Sequence, residues 1–183
     1  MGCISNITGA ITYDCLGGAV GIADLLLINY SDIQSISIAN GIATITLTTS
    51  GKVIRVASIR KGANATEAQR INENAPNALE QSVNFTVYKK TSAENVFINT
   101  ILNSRLVAVA KMVETGVYRI YGCNYGLEVS GLEESANDNG GYTAITLTTP
   151  ENVLGEARAS ITEATWNTLV SKSVSYTHLT LPT

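Results

Sequence analysis

Charge is what this chain has least of: Asp, Glu, Lys and Arg together make up 15% of it, against about 25% in an average soluble domain. A lone monomer normally keeps a well-charged surface. The deficit therefore points either to a surface covered by neighbouring subunits or to a plain Thr/Ser/Asn-rich β surface. There is a single histidine, His178, close to the C-terminus. A lone histidine on a polar terminal tail is more often a solvated residue than a ligand or a base. The rest of the chain has none, so Ser-His-Asp and Cys-His nucleophile systems, His-metal triads and the H-E-x-x-H zinc motif have nothing there to be built from, and no enzyme is expected. Cys3, Cys15 and Cys123 are an odd number without C-x-x-C spacing, which argues against a disulfide framework or a zinc site and favours reduced packing residues. No lysine or arginine precedes Lys52, so the N-terminus lacks the positive region of a secretory signal. The longest apolar runs, 25–28 and 106–110, fall far short of the ~20 residues a membrane-spanning helix requires. A myristoylation reading of Met1-Gly2-Cys3 fails because the pattern wants Ser or Thr where Asn6 stands.

The 183 residues, 45% of them apolar, suit one domain with a real core and are short for two. A net charge of −3 and a pI near 5.2 give no general phosphate-binding surface. The basic groups at Lys52, Arg55, Arg60 with Lys61, and Lys89 with Lys90 read as solvated strand ends.

The clearest local pattern is 34–49, where Asn40-Gly41 separates two alternating segments and predicts a two-residue type I′ hairpin. Pairing outward from the turn sets Ile36 opposite Ile45 and Ile38 opposite Ala43, with Leu47 beside them, and sets Ser37 opposite Thr44 and Ser35 opposite Thr46. One face is apolar and the other hydroxyl. A hydroxyl face can meet water or be buried against another subunit at lower desolvation cost than a charged one, so Ser35, Ser37, Thr44 and Thr46 are candidate assembly residues.

Upstream, 23–29 reads as a buried strand between a glycine turn (Gly17, Gly18, Gly21) and the polar 29–32. Downstream, 52–59 is a less regular strand. The polar stretch 60–77 is predicted to be a long exposed arm or loop, and because such loops are often functional, Arg60, Lys61, Glu67 and Arg70 join the candidate assembly residues. Alternation resumes over 79–88, with Val83, Phe85 and Val87 on one face and Ser82, Asn84 and Thr86 on the other. Thr91 and Glu94 form a capping box. The helix they open should run to about Ser104 and bury a stripe of Ala93, Val96, Phe97, Thr100 and Ile101. Strands follow at 105–112, 117–121 and 127–130, read as consecutive hairpins with turns at 114–116 and 122–126. After a polar turn at 137–141 comes a strand at 142–149, whose AITLTT echoes ATITLTT at 43–49; the echo marks two related sheets or, as the favoured explanation, shared strand composition. The segment 161–170, with the only tryptophan, Trp166, is either a strand or a short helix. The fold class is therefore mostly β (α+β): an antiparallel β-sandwich or barrel with one flanking helix near 92–104.

Neither a P-loop nor G-x-S-x-G occurs, and GGAVG at 17–21 is a turn rather than G-x-G-x-x-G. Glu128, Glu133, Glu134 and Asp138 crowd one region and formally suit glycoside hydrolysis or, with Asn137 and Asn139, a calcium ion. Beside β turns, without EF-hand spacing, they read as solvated turn residues, and no metal or cofactor is expected. Tyr118, Tyr121 and Tyr125 could form a stacking platform for a glycan, but consecutive strand positions alternate faces, so packing is the favoured role. A carbohydrate-binding β module remains the competing class.

Two resemblances add to this. The closing stretch 174–183 (VSYTHLTLPT) resembles, residue for residue, one reading frame of a transposon-derived adaptor used to prepare DNA for sequencing. That implies a single β-rich domain over 1–173, a non-natural tail holding the only histidine, and a true C-terminus missing from the sequence. The order of parts over 1–155 is similar to that of small virion proteins of Bacteroidetes-infecting tailed phages, of the tail-tube kind. It is carried by LLLINY at 25–30, the Asn-Gly hairpin, the polar arm, the capped helix, RLVAV at 105–109, YRIYGCNYGL at 118–127 and NGGYTAITL at 139–147. The resemblance implies a β-sandwich or barrel whose copies form stacked rings together with other virion proteins, assembled in the host cytoplasm. DNA would pass through without specific binding, the arm would touch the adjacent ring and the acidic turn would face the lumen. A head-tail connector or a decoration protein would leave much the same trace.

Overall fold

The apolar run at 25–28 lies at the centre of the molecule. Leu25, Leu26, Leu27 and Ile28 are all fully buried, so the strand that carries them is covered on both faces, as an uninterrupted apolar run demands. The computed structural model describes residues 21–56, 62–71, 77–87, 92–113, 116–135 and 141–175. In chain order its elements are β1 (Ile22–Asn29), a 3-10 turn (Tyr30–Asp32), β2 (Ile33–Ala39), β3 (Ile42–Leu47), β4 (Val53–Val56), β5 (Ala63–Arg70), β6 (Ala78–Val87), α1 (Ser92–Ile101), β7 (Leu106–Met112), β8 (Tyr118–Tyr121), β9 (Glu128–Ser135), β10 (Tyr142–Thr148), β11 (Ala159–Ser160), α2 (Glu163–Ser171) and β12 (Ser173–Ser175).

The strands form two sheets. One has eight strands in the order β12-β4-β1-β7-β8-β11-β3-β2 and the other four in the order β5-β6-β10-β9. Pairing is antiparallel except at β11 with β3 and β12 with β4. The curled sheets form a half-barrel, which gives the mostly β, α+β class expected from the pattern. Alternate residues of its central strands feed two cores. Leu25, Leu27, Ala108 and Ala110 face Val83, Phe85, Ile145 and Leu147 of the smaller sheet together with Ile101 of α1. Leu26, Ile28, Val107 and Val109 face Ala43, Ile120, Trp166 and Leu169. Truncating one of these leucines to alanine should cost about 2–5 kcal/mol.

Segment 161–170 resolves as a helix. Thr162 caps α2 by accepting the Thr165 N–H at 3.2 Å, and Trp166 and Leu169, three apart, are its buried residues. The Trp166 ring lies 5.5 Å from that of Tyr118, centroid to centroid. Helix α1 appears where expected, but its capping residue Thr91 lies outside the described residues, as do the side chains of Ala93 and Glu94. The buried stripe is corrected to Phe97, Ile98 and Ile101. Val96 is 62% exposed and Thr100 is also exposed, because the helix lies on the sheet along one narrow line.

Two further expectations are corrected. Residues 63–70, read as part of an exposed arm, form β5, paired with β6 from Ala63↔Phe85 to Arg70↔Ala78. Their inward positions are Ala63, Ala65 and Glu67, too small or too polar to look like a buried strand face, and Glu67 finds its partners far away in sequence. The turn after β8 does not close a hairpin. Leu127 still bridges to Leu106, but the chain then leaves the larger sheet and β9 pairs with β10 in the smaller one. Gly126 permits this crossover: its φ is +75°, and a Cβ there would lie 2.6 Å from Arg105 Cγ, a conformation and a space that only glycine fits. Strand β12 includes Val174 and Ser175, the first two residues of the adaptor-like stretch. The predicted turn residues 114, 115 and 137–140 lie outside the described residues.

Candidate assembly surface

The β2–β3 hairpin adopts the predicted register, with Ser35↔Thr46, Ile36↔Ile45, Ser37↔Thr44 and Ile38↔Ala43. Its turn has positive φ at both central residues, 52° at Asn40 and 75° at Gly41, the type I′ signature. Ser35, Ser37, Thr44 and Thr46 are thereby brought together on one face, and all four are exposed. The opposite face is only partly covered. Ala43 is buried and Ile36 and Ile45 are half-buried against the second core, whereas Ile38 is 38% exposed. Ile42, paired with Ala39 on the hydroxyl face beside the turn, is 46% exposed. No charged residue occurs between Asp32 and Lys52. The hairpin therefore offers solvent a neutral hydroxyl face, an apolar tip and, because β2 ends the sheet order, a strand edge that no other strand covers among the described residues.

Beside the start of that edge lies a groove of about 480 Å³ lined by Tyr30, Ile33, Gln34, Ser35, Ile36, Cys123, Asn124 and Tyr125. Its floor is rigidly held. The Tyr30 hydroxyl donates to the Asn124 carbonyl at 2.6 Å, and the N–H groups of Asn124 and Tyr125 donate to the two oxygens of Glu156 at 2.7 and 2.9 Å. Glu156 is itself buried, 4% exposed. Burial raises its carboxyl pKa above the usual carboxylate range, and the backbone donors of Asn124, Tyr125 and Gly126 pull it part of the way back. The Cys123 thiol is pushed up to about 12, first by burial and then by the nearby carboxylates Glu156 and Glu67, which makes it an inert packing group.

A second polar pin stands behind the crossover. Gln81, with no exposed surface, accepts the Gly122 N–H at 2.9 Å and donates to Glu67 at 2.9 Å. Glu67 also meets Arg158 at 3.1 Å. Arg70 donates to the carbonyls of Pro150 and Val153 at 3.1 and 3.0 Å. Glu67 and Arg70 are thus corrected from arm residues to struts of the smaller sheet, because in β5 they turn toward acceptors and donors that only the fold assembles. Arg60 and Lys61 lie outside the described residues. Sequence reasoning missed Gln81 and Glu156. Gln81 did leave a signal, since it shares the parity of Val83, Phe85 and Val87 and is polar on an apolar face.

Tyr118 and Tyr121 are each 4% exposed, so the tyrosines form no open stacking platform. Glu128 pairs with Arg105, while Glu133 and Glu134 are exposed on β9; Asp138 lies outside the described residues. Among the described residues no group of three or more His, Cys, Asp or Glu side chains could hold a metal ion, and no helix is long and apolar enough to cross a membrane. Comparison of the chain with protein-family models, with curated proteins and with solved structures finds no match.

Proposed function

We propose that this chain is a non-enzymatic structural subunit of a tailed-phage virion, a ring-forming protein of the tail-tube kind, that works by associating with copies of itself. The observation that carries the reading is the β2–β3 hairpin: charge-free from Ile33 to Thr48, exposed on its hydroxyl face, apolar at its tip and open at its edge. A monomer that spent its life in water would gain from a lysine or glutamate on such a strand. Burial of a Ser/Thr face against a neighbour costs little desolvation, and the apolar tip adds to the contact. The low overall charge and the resemblance to small virion proteins support the same reading. A conduit onto which each copy turned an exposed β9 carboxylate, such as that of Glu133, would let DNA pass without adhering, since like charges repel at short range.

The test is electron microscopy of the purified full chain at high concentration, together with sedimentation across a concentration series. Rings, tubes or discrete oligomers are the expected result. A monomer at every concentration that is stabilised by a glycan would overturn the reading in favour of a carbohydrate-binding module. Portal, terminase or tape-measure genes beside the reading frame would support a virion role, and their absence from a long contig would count against it.

A further inference from the structure

In a two-residue hairpin the residues flanking the turn form a hydrogen-bonded pair, and bonded and non-bonded pairs alternate from there. Ala39, Ser37 and Ser35 therefore turn their N–H and C=O groups toward Ile42, Thr44 and Thr46, and Ile36 and Ile38 turn theirs away from β3. The far side of β3 agrees with this phase, because the Gly41 carbonyl there accepts the Ser160 N–H at 2.9 Å. The outward groups of Ile36 and Ile38 meet no other strand among the described residues, since β2 ends the sheet. Such an edge is a template for another strand unless charge, proline or a covering element blocks it. Strand β2, IQSISIA, has neither charge nor proline. By contrast β5 carries Glu67 and Arg70, and β9 carries Glu128, Glu133 and Glu134; a second β9 laid against the first would bring carboxylates together.

Strand β2 is also close to palindromic. Ile36 and Ile38 flank Ser37, and the small residues Ser35 and Ala39 flank them. This is the self-complementarity that a two-fold contact requires, in which residue i meets j and j meets i. We infer that β2 pairs antiparallel with β2 of a second copy of this chain, with the two-fold axis passing beside Ser37. The inference rests on the self-association proposed above and names the surface that carries it.

In this register Ile36 of each copy exchanges both backbone hydrogen bonds with Ile38 of the other, which satisfies the open edge. The isoleucine side chains of the two copies cover one another on the apolar face, and Ser37 meets Ser37 on the hydroxyl face. The Asn40-Gly41 turn of each copy then lies beside Gln34 and Ile33 of the other, over the groove floored by Asn124 and Tyr125. A two-fold contact closes on itself, so this edge joins copies in pairs and ring closure belongs to another surface.

The test uses the full chain with Cys3→Ser and Cys15→Ser, so that buried Cys123 is the only native thiol. Ser37→Cys is then added and compared with Thr44→Cys on the same exposed face. Two residues facing each other as a non-hydrogen-bonded antiparallel pair have Cα atoms about 4.5 Å apart, within disulfide reach. Mild oxidation should convert most of the Ser37→Cys protein to a covalent dimer, at least tenfold faster than Thr44→Cys. Equal or slower linkage would overturn the inference. Ile38→Pro supplies a second reading, because it deletes an outward N–H while leaving the β2–β3 ladder intact. It should abolish β2 pairing with unchanged circular dichroism, and should it fail to fold, the cysteine comparison decides alone. Oligomers that persist in Ile38→Pro, with no Ser37 cross-link, would refute edge pairing and leave self-assembly standing. A wild-type chain that is monomeric throughout would refute both.

Discussion

Replacing Gln81 by leucine isolates the polar pin between the sheets. Leucine has nearly the same volume, so no sizeable cavity opens, and the change falls on hydrogen bonding alone. The Gly122 N–H, now paired with Gln81 Oε1 at 2.9 Å, loses its partner in a buried site, at a cost of about 1–3 kcal/mol. Glu67 loses the donor at 2.9 Å but keeps Arg158 and a side chain 17% exposed, so its loss is smaller, about 0.5–1 kcal/mol. Removing a buried amide returns roughly 1 kcal/mol of desolvation. The net expectation is a destabilisation of about 2 kcal/mol. In urea unfolding, with a slope of roughly 2 kcal/mol per molar for a chain of this size, the midpoint should fall by about 1 M with the slope unchanged. A midpoint within ~0.2 M of wild type would refute the claim that this side chain anchors the crossover. A change confined to the slope would show that the effect lies in the unfolded state instead.

Three further outcomes follow from the same geometry. Gly41→Ala should destabilise the chain by about 1 kcal/mol, because φ is +75° while the space around it is open; no measurable loss in urea would contradict the type I′ turn. For Glu156, whose folded pKa is raised above 4.5 by burial, protonation favours the folded state, so its contribution is fully present below the unfolded value and is lost as pH rises through the folded one. Stability of the wild type relative to Glu156→Gln should therefore decline as pH rises through that window; a rising difference would reverse the assignment. With Cys3 and Cys15 replaced by serine, the thiol of Cys123, pushed up to about 12 by burial, should ignore a disulfide reagent at pH 8 until the protein is unfolded, and rapid stoichiometric labelling of the native protein would contradict its burial.

What could be read from the amino-acid order was what local chemistry decides. Asn40-Gly41 between alternating segments determined the turn, the register and the composition of both faces of the β2–β3 hairpin, because a period of two leaves one pairing that keeps like faces together. The apolar run of β1 and the alternation of β6 announced buried strands for the same reason. What could not be read depended on partners distant in sequence. Strand β5 hides alanines and a glutamate, and Glu67 reads as a loop residue until Gln81 and Arg158 stand beside it. Glu156 looks like any surface glutamate, yet its ligands are backbone N–H groups that the crossover alone delivers. The turn after β8 has the composition of a hairpin, and only the pairing of β9 with β10 decides that it changes sheets. The four hydroxyls of the candidate surface were legible. The struts behind the neighbouring groove were not, apart from the misplaced polarity of Gln81.

The central claim is that a neutral β surface of this chain joins it to copies of itself. Sedimentation velocity of the full chain from micromolar to near-millimolar concentration tests it most directly, with the Ser37→Lys variant run alongside. The account predicts larger species that grow with concentration in the wild type and recede when a single charge is set on the hairpin; identical monomeric boundaries for both proteins across the whole range would contradict it.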